Sequence, residues 1–387
     1  MFNSDDIMNV GSKNSLYVLL MLSGAYLNAE VSLGDSGALA LGLDTKVEST
    51  SNATLSSAET SDTIFSALPS VKFRSDAGAV SIDAFVGVEL LRYDRLDNND
   101  SENFKSGVTV VFPDEMAGEN YSLVLNAGFN QNTSATSALQ QVTETEDLSL
   151  SALGTYYISE YVSLRSGVTY LNSESKTAGF ADLETYEVPF AVYYKYDETL
   201  NLGLGYRYRN TEVSEVTPAA NSDDHAVFFA IEDLLSPLVQ YEINVGYQYR
   251  EFDSQSNFDD EGAAFAQAML TWFIADRSRL LASIGNDYGT SAANQSSETF
   301  FTELTLQHEY DERLSAAIGM RYEEVDYEQA VGSRSDDELA FYVSGDYQLV
   351  EDRWLLRGRL SYADHSSDAV TAQYDVIHAS IACILVF

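Results

Sequence analysis

The chain has 387 residues and a formal net charge of −39, from 60 acidic against 21 basic residues. That balance excludes nucleic acid as a partner, because phosphate binding needs clustered Lys and Arg. One cysteine, Cys383, excludes an intrachain disulfide and a cysteine-based zinc site. Hydrophobic content is 45% and charged content 21%, values that a soluble domain shares with a transmembrane barrel, whose lipid-facing and lumen-facing residues average out.

Residues 1–29 read as a signal peptide. An apolar core, Leu16 to Leu22, follows Lys13 and precedes Ser23-Gly24-Ala25 and Leu27-Asn28-Ala29, which predicts cleavage after Ala29. The core is too short to span a bilayer as a helix. Asp5 and Asp6 do not suit a basic leader, so a start at Met8 is the alternative. No Cys follows the core, which argues against a lipoprotein. Residues 30–387 then form one domain.

From residue 37 onward one pattern repeats: a run of alternating apolar and polar residues, a turn, and another such run. Leu200, Leu202, Leu204, Tyr206 and Tyr208 share a face, opposite Asn201, Gly203, Gly205, Arg207 and Arg209. Tyr241 to Arg250 and Leu314 to Glu323 repeat the arrangement. Period 2 over this length means strands with one apolar and one polar face. The runs exceed the five or six residues of globular strands and suit tilted, membrane-crossing ones.

Strands are predicted near 37–48, 63–74, 79–94, 103–113, 119–131, 145–157, 161–173, 182–196 and 199–212. The second half adds 223–234, 239–252, 262–274, 278–288, 297–310, 313–326, 337–350, 353–364 and 370–387. The count is eighteen, with sixteen as the alternative because the first five runs are the least regular. An even count brings both termini to the periplasmic side. Pro69 and Pro189 fall inside runs, where each removes a ladder donor and predicts a bulge.

Tight turns are expected at Ile158-Ser159-Glu160, Tyr196-Asp197-Glu198, Leu235-Ser236-Pro237, Ala275-Asp276-Arg277, Tyr310-Asp311-Glu312 and Val350-Glu351-Asp352. Longer polar loops are expected near 173–181, 212–223, 253–261, 288–297, 327–337 and 364–369. Short periplasmic turns and longer extracellular loops are the asymmetry of outer-membrane barrels. Tyr206, Tyr208, Tyr249, Tyr322 and Tyr362 lie toward the long-loop end. Tyr156, Tyr196, Trp272, Tyr310 and Trp354 lie beside the short turns. Two such belts match interfacial girdles.

In the last run, Ile377, Ala379, Ile381, Cys383, Leu385 and Phe387 share a face. Cys383 reads there as a small hydrophobe. An apolar alternating strand ending in Phe is the assembly signal that the barrel-assembly machinery reads in outer-membrane proteins. The expected fold is therefore all-β: a transmembrane antiparallel up-and-down barrel of the bacterial outer membrane. Residues 370–387 must pair with residues 37–48 to close it.

The order of features resembles the β-barrel porins of the "porin 2" type, which are often associated with exopolysaccharide or capsule loci. The residues that carry the resemblance are Leu43-Asp44-Thr45, the Ser/Thr-rich stretch Glu48 to Thr60, and Ser61-Asp62-Thr63-Ile64 with the strand to Pro69. The Tyr-rich hairpins such as Leu200 to Arg209 and the terminal Phe387 complete the set. The resemblance implies a place and a shape: a barrel in contact with outer-membrane lipid and lipopolysaccharide.

The function expected is a passive channel for small hydrophilic or saccharide solutes. Alternatives are a non-conducting accessory barrel for exopolysaccharide export or adhesion, and a lipid-modifying enzyme. If the polar faces point inward, Arg165, Arg207, Arg209, Arg250, Arg321, Arg357 and Arg359 line the lumen, with Glu187, Glu242, Glu303 and Asp346 among them. Such charges either set ion selectivity or brace the wall.

The acidic stretches Asp94, Asp97, Asn98, Asn99, Asp100, Glu102 and Asp259, Asp260, Glu261 lack the spacing of an EF-hand and read as solvated loops. His378 and Ser380 share a face and could pair for acyl transfer, but toward the lumen. Asp364-His365-Ser366 forms a loose trio in a loop. Four His leave little material for general base chemistry; no catalytic residue, metal or cofactor is expected.

Overall fold

Alternation fixes a strand's two faces, and in lipid every backbone donor and acceptor must be paired within the protein. A closed antiparallel sheet meets both conditions. A computed structural model describes residues 31–34, 37–76, 79–112, 120–137, 139–214, 216, 218–254, 256, 258–328, 333–351 and 353–387. The expected signal peptide over 1–29, with its alternative start at Met8, lies outside the described residues.

Eighteen strands make the wall among the described residues. They are β1 (Ala38–Thr50), β2 (Asp62–Ser75), β3 (Ser81–Tyr93), β4 (Ser101–Phe112), β5 (Tyr121–Thr136) and β6 (Gln141–Tyr157). Then come β7 (Val162–Ser175), β8 (Leu183–Lys195), β9 (Asn201–Val213), β10 (Ser222–Ser236), β11 (Val239–Phe252) and β12 (Glu261–Ala275). The last six are β13 (Ser278–Ser291), β14 (Gln295–Glu309), β15 (Leu314–Glu328), β16 (Ser333–Val350), β17 (Trp354–Ser367) and β18 (Tyr374–Val386). The expected count of eighteen holds, and each expected run overlaps the strand found.

Each strand pairs antiparallel with its sequence neighbours, and β18 pairs with β1 from Val386↔Gly42 to His378↔Thr50. Phe387 N donates to Leu41 O at 2.8 Å and Leu41 N to Phe387 O at 3.3 Å, so the last residue seals the wall. A short segment, Val31–Ser32, folds back onto the start of β1.

Large apolar side chains stand exposed on one face: Leu204 at 63%, Ile318 at 60% and Ile381 at 62%. Soluble monomers rarely present a contiguous apolar surface of this kind; here it is the lipid-facing belt. Tyr156, Tyr196, Trp272 and Tyr310 are exposed beside the short turns, and Tyr206, Tyr249 and Tyr362 toward the other end. No helix among the described residues is long and apolar enough to cross a membrane; strands make the crossing.

Strands run from 12 to 18 residues, against the ~9–11 that span the hydrocarbon. The surplus lies at the long-connection end and corrects two expected loops. The loop expected over 288–297 shrinks to 292–294, because β13 and β14 continue to Ser291 and from Gln295. The loop expected over 364–369 begins only after Ser367, so Asp364-His365-Ser366 lies on β17. Beyond the lipid, pairing continues in water and needs no apolar face, so polar composition is a poor sign of a loop there.

The expected bulges at Pro69 and Pro189 are also corrected. At each, the ladder on one side loses two pairs and resumes in the same register: Ala67↔Leu90 then Ser70↔Gly87, and Ser166↔Phe190 then Thr169↔Glu187. The missing N–H removes bonds without inserting a residue. Register shifts occur instead beside short turns, at Leu234/Ser236, Phe273/Ala275 and Gln348/Val350.

Candidate functional site: the inner face of the barrel

Register carries facing information from strand to strand, because directly paired residues share a side. Starting from the exposed apolar positions, the opposite side holds Arg165, Arg207, Arg209, Arg250, Arg321, Arg357, Arg359, Glu187, Glu242, Glu303 and Asp346. These residues do not form one set.

Arg207, Arg209 and Arg250 join a buried network. Arg250 is fully buried, with Nε and Nη2 donating to Asp224 at 2.6 and 2.8 Å. Arg209 Nε donates to the same carboxylate at 2.8 Å, and both its terminal nitrogens reach Asp287 at 3.1 Å. Arg207 donates to Asp287 at 2.6 and 3.1 Å and lies 4.0 Å from Glu187. Asp224 stands directly opposite both Arg209 and Arg250 in register. Asp287, on β13, comes from four strands away. Charge-assisted, partly bidentate bonds of this kind are the strong class, and they brace rather than line.

The other charged groups remain open to the lumen. Arg165 pairs with Glu232 (Nη2–Oε2 2.8 Å) and lies 4.0 Å from the Tyr193 ring, yet its side chain is 40% exposed. Arg357 grips Asp346 at 2.8 and 2.7 Å and is 49% exposed. Arg321 pairs with Glu323. Arg359 lies over Tyr342 at 4.3 Å, Glu303 accepts from the Tyr342 hydroxyl at 3.4 Å, and Glu242 accepts from Asn244 at 3.0 Å.

On the β18–β1 side, Lys46 and His378 flank Glu48 at 2.9 and 3.3 Å, and Lys105 meets Glu89 at 2.6 Å. His378 and Ser380 thus face the lumen, with His378 engaged by Glu48. The trio at 364–366 does not converge. Alternation turns His365 inward, where it stacks on Tyr374 at 4.7 Å with Nε2 3.4 Å from Asp336, and turns Asp364 and Ser366 outward.

The acidic stretches are spent on loop bonding. Asp100 accepts from Tyr93 N at 2.7 Å, and Asp260 accepts from Phe252 N at 2.9 Å and the Tyr249 hydroxyl at 3.2 Å. Among the described residues no three His, Cys, Asp or Glu side chains gather as a metal set.

Sequence reasoning missed Asp224, Asp287 and Glu232. The signal for Asp224 was available: three arginines within 44 positions of a chain poor in basic residues need inward acids on the strands between them.

A closed eighteen-stranded wall with an apolar outer belt and a charged inner face defines a bacterial outer-membrane β-barrel. Residues 204–382 match the family described as "Putative beta-barrel porin 2", which bears out over that stretch the resemblance read from the sequence. No curated protein matches the chain in sequence.

Solved structures of Pseudomonas aeruginosa share the fold. OpdK with vanillate has a TM-score of 0.52 at 8% identity, over 90% of this chain and 99% of its own. OpdQ has 0.52 at 9%, over 92% and 99%. OpdF has 0.51 at 10%, over 90% and 98%.

Proposed function

We propose that the barrel is a passive outer-membrane channel for small hydrophilic solutes, saccharides among them. One observation carries the reading: inward-facing charges such as Arg165 and Arg357 are 40–49% exposed. Charged groups stay unburied only where water reaches them, so a water-filled lumen is what their exposure calls for. Met269, whose register also turns it inward, is 60% exposed. The named arginines and acids at these levels are the lining that a permeant meets, whereas Arg207, Arg209 and Arg250 act as braces. The outer belt meets lipid and lipopolysaccharide, and the strand ending at Phe387 is the part that assembly machinery would engage. With His378 and Ser380 turned from the lipid, no lipid-modifying reaction enters this reading.

Purified protein in planar bilayers should give discrete conductance steps. A folded, inserted protein with no steps would sink the channel reading and leave a closed accessory barrel in its place.

A further inference from the structure

Several inward aromatic rings are covered by arginine. Tyr193, Phe265 and Tyr342 each lie under a guanidinium, 4.0, 5.2 and 4.3 Å from the ring centroid. Phe85 of β3 is placed otherwise. It pairs directly with Lys72 of β2, and Lys72 with Ala40 of β1, which shares the inner side of that strand with Lys46 and Glu48. Direct pairing keeps one side, so Phe85 faces the lumen. It is 39% exposed there. An apolar ring held in water forgoes the gain of burial, so its position calls for an account.

The wall beside Phe85 is hollowed. On β4, β5 and β6 the residues in line with it are Gly107, Gly128 and Ser149. The Phe85 ring takes the space that a side chain at Gly107 would need, since a Cβ there would stand 2.7 Å from Cε1. At Gly128 the nearest atom to such a Cβ is Ser149 Oγ, at 2.9 Å. Lys72, directly opposite the ring, folds away over Gly42, where its Cε and Nζ lie 3.0 and 3.3 Å from the place of a Cβ. These positions leave a bay of about 580 Å³ in the inner wall.

The bay is apolar along its middle and polar along both edges. Alternation sets the next inward positions two residues, or about 7 Å, to either side of the Phe85 line. Toward the short turns that line is Arg74, Asp83, Thr109, Asn126 and Ser151. Thr109 Oγ1 donates to Asn126 Oδ1 at 2.9 Å, and Asn126 Nδ2 to Ser151 Oγ at 3.1 Å. Toward the long connections it is Ser70, Gly87, Lys105, Asn130 and Asp147. Charges at both edges are paired: Arg74 lies 3.4 and 3.7 Å from Asp76 and Asp83, and Lys105 lies 2.6 Å from Glu89.

An aromatic platform between two rows of amides, hydroxyls and paired charges suits one kind of solute. A pyranose has a face of C–H bonds and hydroxyls around its edge. The face packs on an aromatic ring, and the hydroxyls exchange water for side-chain partners at either edge. An aromatic carboxylate carries its polarity at one end and leaves the other edge of the bay unmatched. A small inorganic ion gains nothing from Phe85.

We propose that the Phe85 bay is a binding subsite for neutral saccharides on the lumen wall, with Phe85 as the platform and Asp83, Thr109 and Asn126 meeting the hydroxyls. It deepens the channel reading and rests on it for the water-filled lumen.

Binding is measured apart from conduction. Phe85→Trp keeps a platform and adds a reporter, whose fluorescence in the folded, detergent-solubilised barrel should respond saturably to maltotriose. Gly128→Val fills the bay; its Cβ closely meets only the rotatable Ser149 hydroxyl, and a β-branched residue suits a strand. Added to Phe85→Trp, it should raise the half-saturating concentration about tenfold. A second measurement needs no Trp: maltotriose should interrupt wild-type current in planar bilayers and leave that of Phe85→Ala uninterrupted at the same concentration. A response to benzoate and not to maltotriose would overturn the saccharide class. No saturable response, or one that Gly128→Val leaves unchanged, would overturn the subsite while wild-type conductance steps uphold the channel. Saturable binding by a barrel that gives no steps would overturn the channel reading and not the subsite.

Discussion

Asp224→Asn tests the buried network where its electrostatics are least forgiving. The substitution keeps size and removes one charge from between two guanidiniums. Arg209 retains Asp287 at 3.1 Å. Arg250 retains only neutral hydrogen-bond partners, Gly289 O at 2.7 Å and Ser296 Oγ at 2.8 Å, with Glu261 the carboxylate beyond Ser296, and has no exposed surface. Removing one member of a buried pair costs about 3–5 kcal/mol, because the other is left charged and desolvated. At 1.4 kcal/mol per tenfold, that is a loss of about 10²–10³ in the folding equilibrium. Replacing both members with apolar groups avoids that penalty and is often near neutral, so Asp224→Leu with Arg250→Met should recover most of the loss. Urea titration of the barrel in lipid vesicles, followed by Trp272 and Trp354 fluorescence, measures both. An Asn variant within about 1 kcal/mol of wild type, or a double variant no better than the single, would refute the assignment of this network as a brace.

Deleting Phe387 removes both hydrogen bonds that tie the last residue to Leu41, so folded protein in the outer membrane should fall; normal levels on heat-modifiable gels would contradict that role. Glu232→Gln frees the exposed Arg165 and should shift reversal potentials in a salt gradient toward anions, while Arg165→Gln should shift them toward cations; identical potentials would remove this pair from the permeation path. Backbone N–H groups hold two turn carboxyls below their ordinary range: those of Leu200 and Thr199 at Asp197, and those of Arg313 and Leu314 at Asp311. A depressed folded pKa gives stabilisation that is present above the ordinary carboxyl pKa and lost as pH falls through the depressed one. Protection at Leu200 and Leu314, taken relative to the intrinsic exchange rate at each pH, should therefore fall only on acidification below the carboxylate range, and protection unchanged there would contradict it.

Strand count, facing and closure were legible because one rule, period 2, repeats eighteen times and a slip by one residue would turn every side chain over. Leu204, Tyr206, Arg207 and Arg209 fall on the expected sides for that reason. The same rule is silent on where a strand parts from its neighbour. Residues 286–291 continue the alternation of β13 while leaving β12, and nothing in their pattern differs from a paired edge. Asp287 was hidden twice: it sat in what read as a polar loop, and its partners lie four strands away. Once Gly285↔Gln267 is known to be the last pair, Asn286-Asp287 reads as a parting amide followed by the acid that meets Arg207 and Arg209.

The β5–β6 and β13–β14 hairpins are held by unlike means, and the difference has a direction. On the β13 side the charges are desolvated, with Arg250 fully buried and Asp224 at 3%. On the β5 side Lys46 and Glu48 remain 42% and 21% exposed around an open cavity. Exposed pairs are weak and screened by salt, whereas buried pairs are screened far less. Rising ionic strength should therefore loosen the β5–β6 hairpin first and leave β13–β14 fixed. Amide protection at Asn132 to Ala135 should therefore fall as salt rises, while protection at Tyr288 to Ser291 holds. An equal response at both would mean that buried charge is not what fixes the β13 side.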